Sequence, residues 1–145
     1  MLNQNQKAYL AGFLDGDGSI YVRLKQNPTY KYGFQVAPYI VLFQSQKEKE
    51  NFKKICSLIG FGYLRVRKDG ILEHIIGRIN ELREFLKMVQ PFVILKKKQV
   101  LLMIEILDKK EKVKNKNDFY ELVNLIDSFR NLNYSKKRKK HILTP

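Results

Sequence analysis

YLAGFLDGDG, residues 9–18, is the stretch of this sequence that decides the fold. Apolar or small residues recur through residues 4–14, which predicts a short and almost wholly buried helix. The Asp-Gly-Asp-Gly run at residues 15–18 then predicts the end of that helix, because two glycines within three residues interrupt helical structure. Asp17 is thereby placed at the carboxyl end of the helix, where the helix dipole is already negative.

Small residues recur at intervals of four along the same helix. Ala8, Gly12 and Gly16 share one face, which lets another backbone approach closely, and we expect a second copy of this helix there. Two copies would bring two Asp17 carboxylates together at two negative helix ends, an arrangement that a divalent cation stabilises. Hard oxygen ligands favour Mg²⁺, and metal ions beside a basic surface serve phosphodiester hydrolysis. The spacing alone equally allows a plain helix end with solvated carboxylates.

Outward from this helix, the patterns predict an α+β chain of order αββαββα followed by two more helices. Pro38 indicates an edge or a bulge in the second strand, Gly60 closes the second helix, and Asn80 and Asn117 are expected to cap later helices. The predicted helices cover residues 4–14, 47–59, 80–88, 96–110 and 118–132, and the predicted strands cover residues 19–26, 34–43, 61–67 and 71–77.

Composition indicates a polyanionic partner. The 145 residues include 28 lysines and arginines against 14 aspartates and glutamates, a formal net charge of +14. Such a charge favours nucleic acid as the partner, and an anionic membrane second. Cys56 is the single cysteine and is expected in the core, and only two histidines accompany it, which excludes disulfide frameworks and zinc-finger chemistry. The length predicts one domain, residues 1–145, ending in a basic tail at 132–145.

The ten residues of the opening stretch closely resemble the LAGLIDADG motif. With its element order, the chain is similar over nearly its whole length to the single-motif LAGLIDADG homing endonucleases encoded in group I introns. The resemblance implies a saddle-shaped antiparallel sheet, and a homodimer because a second motif is absent. It also implies Mg²⁺-dependent double-strand cleavage of a long, near-palindromic DNA site with 3′ overhangs, Mn²⁺ being able to substitute. The location implied is a chloroplast or mitochondrion.

The same resemblance assigns catalytic roles to Asp17, Gln44 and Lys96. Asp17 matches the family's metal-binding carboxylate, and Gly16 precedes it with a carbonyl that also reaches the metal. Gln44, at the end of the second strand, matches a polar residue that orders the attacking water. Lys96 matches a lysine beside the scissile phosphate.

Other residues depart from the family pattern or are assigned ordinary structural roles. Related members carry an arginine early in the helix after the second strand, where this chain has Glu48; Lys47 or Lys49 could substitute for it. Asp15 is interpreted as a helix-end residue rather than a metal ligand. His74 is interpreted as an ordinary strand residue.

Alternation along the strands predicts a DNA-reading surface. One strand face mixes aromatic, amide and arginine side chains, types that recognise base edges and thymine methyl groups in the major groove. The predicted base-contacting positions are Tyr21, Arg23, Lys25, Gln35, Ala37, Tyr39, Val41, Tyr63, Arg65, Arg67, Glu73 and Ile75, and Asn27 and Tyr30 of the first hairpin loop are further predicted DNA contacts. The predicted backbone-contacting positions are Lys31, Ser135, Lys136, Lys137, Lys139 and Lys140.

Two other classes of function compete with cleavage. An intron RNA maturase or a non-cleaving DNA-binding regulator could use the same scaffold, but degenerate acidic residues mark the non-cleaving members and Asp17 is intact. A basic membrane-surface protein would need an exposed helix with one apolar and one basic face, and every apolar helix face here is expected to face the core.

Overall fold

The fold is a four-stranded antiparallel sheet with helices packed on one face. The computed structural model describes residues 1–133, so the predicted contacts Ser135, Lys136, Lys137, Lys139 and Lys140 lie outside the described residues. The helices are α1 (Gln4–Asp17), α2 (Lys49–Ile59), α3 (Ile79–Val89), α4 (Lys97–Glu111) and α5 (Lys116–Arg130), with a 3-10 turn at Gln46–Glu48. The strands are β1 (Gly18–Gln26), β2 (Phe34–Ser45), β3 (Tyr63–Val66) and β4 (Ile71–Ile76). The predicted α+β order is confirmed.

The strand order is β1-β2-β4-β3, so each hairpin places its second strand in the middle of the sheet. β2 pairs with β1 from Phe34 to Leu42 but with β4 only from Ile40 onward. Pro38, opposite Val22, therefore lies where β2 has no neighbour on the β4 side, and its missing N–H breaks no pair there. The edge position predicted from Pro38 is confirmed.

Helix α1 is longer and less buried than predicted. It continues through residues 15–17 and ends at Gly18, so Gly16 does not interrupt it. A Cβ at Gly18 would lie 2.7 Å from the Leu14 side chain and 2.9 Å from the Leu14 carbonyl oxygen, which makes Gly18 the glycine that this turn requires. The fully buried residues of α1 are Leu10, Ala11 and Leu14, and its exposed residues include Ala8, Gly12, Gly16 and Asp17.

Two predicted helix caps are wrong, whereas the predicted helix end at Gly60 is confirmed. Asn80 lies inside α3, which begins after Arg78 without a side-chain cap. The cap of α5 is Asn115, not Asn117, and its side chain accepts a hydrogen bond from the Asp118 N–H at 2.8 Å. This start is favoured because Asp118 then reaches back to the Lys114 N–H at 3.1 Å. Gly60 ends α2 in the left-handed region, with φ of 82°.

One hydrophobic cluster joins the inner face of the sheet to all five described helices. Its largest fully buried side chains are Phe52 of α2, Phe85 of α3 and Phe129 of α5. Helices α3 and α4 are also tied at the surface, where Arg83 donates to Asp108 at 2.6 Å and approaches Glu111 at 2.9 Å. This packing holds the end of α1 against the beginning of α4.

His74 is buried on the inner face of β4, as expected for a strand residue. Its Nε2 lies 2.9 Å from the Phe61 carbonyl oxygen, which fixes Nε2 as the protonated nitrogen. Nδ1 has no hydrogen-bond partner within the described part of the chain. Burial lowers the pKa of His74 below its ordinary value, so the folded protein holds this ring neutral.

We expect the free energy of unfolding to decrease as the pH falls below about 6.5, the ordinary pKa of histidine. Because the pKa of His74 is lowered in the folded protein, the unfolded chain takes up a proton at a higher pH than the folded chain does. The contribution of His74 to the free energy of unfolding is therefore complete above about pH 6.5 and decreases below it. One such proton changes the free energy by at most about 1.4 kcal/mol per pH unit. Urea denaturation at several pH values should show a weaker dependence for His74→Gln than for the wild type. Identical pH dependence of the two proteins would contradict this account.

Candidate functional site

The predicted DNA-reading positions that lie in strands share the outer face of the sheet. Directly paired residues of an antiparallel sheet lie on the same face, so the register assigns them together. The outer-face pairs are Tyr21 with Tyr39, Arg23 with Ala37, Lys25 with Gln35, Val41 with Ile75, Tyr63 with Ile75, and Arg65 with Glu73. The alternation predicted from the sequence is therefore confirmed for these strands. The result is a largely polar and aromatic surface opposite the helices, in which Val41, a predicted base contact, is buried at 2% exposure.

Arg67 does not lie in a strand as predicted. β3 ends at Val66, and Arg67 begins the turn to β4, where its Nη2 lies 2.7 Å from the Asp69 carboxylate. The turn starts this early because Gly70, with φ of 83°, allows a tight connection. Val66, the last residue of β3, is 47% exposed at the edge of the sheet.

The loop between β1 and β2 is an ordered part of the same surface. The Asn27 side chain accepts hydrogen bonds from the N–H and hydroxyl of Thr29, at 3.1 and 2.7 Å. Tyr30 and Lys31 are exposed at the tip of the loop. Tyr32, which the sequence analysis missed, stacks on Phe119 of α5 with ring centroids 5.0 Å apart and anchors the loop to the helices.

One acidic side chain at the carboxyl end of α1 makes no polar contact with the rest of the described chain. Asp17 is exposed and forms no hydrogen bond or ion pair within residues 1–133. The face beside it is smooth, since a Cβ built on Gly12 or Gly16 would meet no atom within 4 Å. An exposed carboxylate at the negative end of a helix is unfavourable unless a cation or a hydrogen-bond donor approaches it. Asp17 is thus available to an external ligand.

Asp15 has a different role, which the sequence interpretation missed. Its carboxylate accepts hydrogen bonds from the N–H groups of Ile94, Leu95 and Lys96, at 2.8, 3.1 and 3.0 Å. These groups stand at the beginning of α4, which has no side-chain cap from its own residues. Asp15 therefore caps α4 from another helix and neutralises its positive end. The one available signal in the sequence was the lack of a local capping residue before α4.

Lys96 is bound to the end of α1 by the same contact. Its Nζ donates to the Asp15 backbone carbonyl at 3.0 Å, and the side chain is half-buried. The neighbouring Lys97 donates through its Nζ to the Gln90 carbonyl. Lysines at a helix amino terminus are disfavoured by the dipole, and the negative end of α1 offsets this. Lys96 is thereby held at the end of α1 that carries Asp17, and the catalytic role of both residues stays a prediction.

Gln44 lies close to the junction of α1 and β1. The register pairs Gly18 with Leu42, so Gln44 stands two residues beyond the partner of Gly18, on the inner face of β2. Its Oε1 accepts a hydrogen bond from the Ser45 N–H at 2.8 Å, which leaves the amide nitrogen as a donor.

Glu48 belongs to the short connection that follows β2 rather than to a basic cluster. Its carboxylate accepts a hydrogen bond from the Asn51 side chain at 2.9 Å. The Lys47 N–H is bound by the Ser45 hydroxyl at 3.2 Å, while its side chain is exposed. The substitution of Lys47 or Lys49 for a basic residue remains a prediction.

A metal ion at Asp17 would need ligands from outside a single copy of the chain. Within residues 1–133, no three His, Cys, Asp or Glu side chains are grouped to hold a metal ion. Asp17 and the free carbonyls at the end of α1 are hard oxygen donors, which suit Mg²⁺ or Ca²⁺ when further oxygens come from outside the chain. The residues present therefore fit a metal site shared between copies of the chain.

Among residues 1–133, none of the helices combines the length and the hydrophobicity that a membrane span requires.

Comparisons with known proteins agree with this geometry. The LAGLIDADG endonuclease family model matches residues 10–126. DNA endonuclease I-CreI of Chlamydomonas reinhardtii is 36% identical over 138 residues, which is 94% of this chain and 84% of that protein. DNA endonuclease I-CvuI of Chlorella vulgaris is 30% identical over 136 residues, with 94% and 84% covered.

Solved structures show the same similarity in three dimensions. The crystal structure of homing endonuclease I-CvuI in complex with its target, in the presence of Ca, matches with a TM-score of 0.86 at 30% identity, covering 94% of this chain and 87% of that chain. The archaeal intron-encoded homing endonuclease I-Vdi141I, complexed with DNA, has the same fold, with a TM-score of 0.82 at 24% identity over 96% and 90% of the two chains.

Asp15→Ala should lower the free energy of unfolding by about 1–2 kcal/mol, because three N–H groups at the start of α4 lose their acceptor. Asp17→Ala, two residues away on the same helix, is the matched control and should leave stability unchanged or slightly raised. Urea denaturation of both variants measures the difference. Equal losses in the two variants would contradict the assignment of Asp15 as the cap.

Proposed function

Since the chain belongs to the LAGLIDADG endonuclease family, we propose that this site-specific DNA endonuclease acts as a homodimer with one Asp17 from each copy in the active site. The family match confirms the resemblance identified from residues 9–18. The observation that carries the proposal is the exposed and unpartnered Asp17 at the end of a smooth helix face. Two such ends meeting would complete a metal site that one copy leaves open.

A long double-stranded DNA target is supported by charge and by surface. The chain carries a net charge of +14, and the outer face of the sheet presents side chains that read base edges. The relatives I-CvuI and I-Vdi141I have been crystallised with DNA, I-CvuI with its own target. Because a homodimer has twofold symmetry, we propose a near-palindromic target. Cleavage with 3′ overhangs belongs to the same proposal.

The dimer is proposed to form through the small-residue face of α1. Ala8, Gly12 and Gly16 are exposed along this face. Ile94 and Leu95 extend it, since both donate to Asp15 and are 81% and 75% exposed. Exposed apolar side chains next to a smooth helix face are typical of a surface that a partner covers.

The proposed metal ion is Mg²⁺, with Mn²⁺ able to substitute. I-CvuI has been crystallised with DNA in the presence of Mg and of Ca, so divalent cations accompany DNA in a relative. Asp17 and the Gly16 carbonyl would hold the ion. When bound, a divalent ion supplies the positive charge that activates water and stabilises charge on a phosphate.

Two further side chains are proposed to act beside Asp17. Lys96 is held at the end of α1 by the Asp15 carbonyl, where its ammonium can stabilise the negative charge that develops on the scissile phosphate. The Gln44 amide nitrogen remains a donor and can orient the attacking water.

We also propose an organellar location, since relatives are encoded in Chlamydomonas reinhardtii and Chlorella vulgaris.

Asp17→Asn should lower the cleavage rate by about 100-fold or more while leaving DNA affinity nearly unchanged, because it removes charge at the metal site and leaves the sheet untouched. Single-turnover cleavage in Mg²⁺ and binding in Ca²⁺ measure the two effects on a target selected from a plasmid library. Glu50→Gln, which neutralises an exposed carboxylate on α2, is the control and should cleave like the wild type. Wild-type cleavage by Asp17→Asn would exclude Asp17 as the metal ligand.

Gly16→Leu should convert the dimer into a folded monomer and abolish cleavage. The single chain tolerates the side chain, since a Cβ at Gly16 meets no atom within 4 Å. Leucine also favours a helix over glycine by about 1 kcal/mol. Sedimentation velocity and circular dichroism distinguish loss of assembly from loss of folding. Asn124→Leu places the same leucine side chain on the exposed side of α5, away from the α1 face, and should remain an active dimer. An active Gly16→Leu dimer would place the interface elsewhere.

A further inference from the structure

Three arginines on or beside the outer face of the sheet differ in whether their side chain contacts a carboxylate or an aromatic ring. Arg65 Nε lies 3.9 Å from the Glu73 carboxylate, and Arg67 Nη2 lies 2.7 Å from the Asp69 carboxylate. Arg23 forms no ion pair with a carboxylate within residues 1–133; its guanidinium carbon instead lies 5.7 Å from the centroid of the Tyr39 ring. A carboxylate occupies guanidinium N–H donors, whereas an aromatic ring attracts the cation and leaves donors free for another acceptor.

The Tyr39 ring beneath Arg23 is itself fixed by stacking on a neighbouring tyrosine. Tyr39 pairs with Tyr21 across β1 and β2, and their rings stack with centroids 5.0 Å apart and 24° between planes. Tyr39 is half-buried; burial raises its pKa, and the positive charge of Arg23 opposes that rise. The residue opposite Arg23 is Ala37, whose small side chain leaves space for the guanidinium to lean toward the ring. The stacked pair therefore restricts the arginine in the free protein.

We propose that Tyr39 positions Arg23 to read a guanine in the major groove, and so determines the base preference at one base pair in each half of the target. The inference rests on the proposed DNA-cleaving function. An arginine donates two parallel hydrogen bonds to N7 and O6 of guanine, a pair of acceptors that no other base presents there. An arginine already oriented loses less conformational freedom on binding than a free one. Tyr39 acts through Arg23 and does not itself contact the base.

The test is a cleavage profile over targets that carry each of the four base pairs at every position of one half-site. The wild type should prefer guanine about 10- to 100-fold at one position, and Arg23→Gln should lose that preference alone. Tyr39→Leu should weaken the same preference about two- to fivefold, and Tyr39→Phe, which keeps the ring, should retain it. In the Arg23→Gln background, Tyr39→Leu should have no further effect at that position.

Phe43→Leu is the matched control, because Phe43 pairs with Glu73 on the same face, is not one of the predicted DNA contacts, and has no cation over its ring within the described residues. It should leave the preference assigned to Arg23 unchanged. The inference is overturned if Arg23→Gln keeps the full preference, or if Tyr39→Leu weakens cleavage of all targets equally. It is also overturned if Tyr39→Phe behaves like Tyr39→Leu. A wild type that cleaves no target in the library contradicts the proposed function instead, while cleavage with no base preference at any Arg23-dependent position contradicts this inference alone.

Discussion

The hydrogen bonds that Asp15 accepts from the three N–H groups directly before α4 are the interaction on which the site depends. They join the negative end of α1 to the positive end of α4, so each helix end offsets the charge of the other. Through this contact Lys96 is bound to the backbone of α1, two residues before Asp17. The Asp15 and Asp17 carboxylates are separated by a single glycine. Asp15 stabilises the fold by accepting these hydrogen bonds, whereas Asp17 remains exposed to a ligand.

The sheet divides its side chains between stability and recognition in a similar way. Its inner face, including Ile20, Ile40 and Leu72, joins the helices in one hydrophobic cluster. The outer face carries arginines and tyrosines whose positions are set by neighbours on that same face. Because the strand period is two, each residue serves one face only, and the recognition side chains can differ between relatives without changing the core.

Local patterns were sufficient to predict most of the architecture, because they depend on neighbouring residues. The alternation in β1, the end of α2 at Gly60 and the edge at Pro38 each followed from one short stretch. Where two local signals competed, the sequence was ambiguous: Asn115 and Asn117 are both good caps, and only the reciprocal bond from Asp118 separates them. The extension of α1 through Gly16 was missed because packing of Leu14 outweighs the low helix propensity of glycine.

The role of Asp15 could not be predicted from the sequence, because it depends on long-range contacts. The partners of Asp15 lie 79 to 81 residues away along the chain, so spacing within the motif could not distinguish its role from that of Asp17. Arg67 was misplaced for a local reason instead, because β3 ends at Val66 and Arg67 pairs with the Asp69 carboxylate in the turn that follows. The roles of Asp17, Gln44 and Lys96 came from the family resemblance, and the structure adds the contact that holds Lys96 at the end of α1 that carries Asp17.

The central claim is that Asp17 residues from two copies share a divalent metal site at the ends of two adjacent α1 helices. The most direct measurement is anomalous X-ray diffraction at the manganese edge, from crystals of the chain grown with Mn²⁺ and its target DNA. The account predicts anomalous density next to the Asp17 carboxylate of each copy and DNA phosphate oxygens. Manganese bound by other residues, or copies that meet through a face other than that of Gly12 and Gly16, would contradict it.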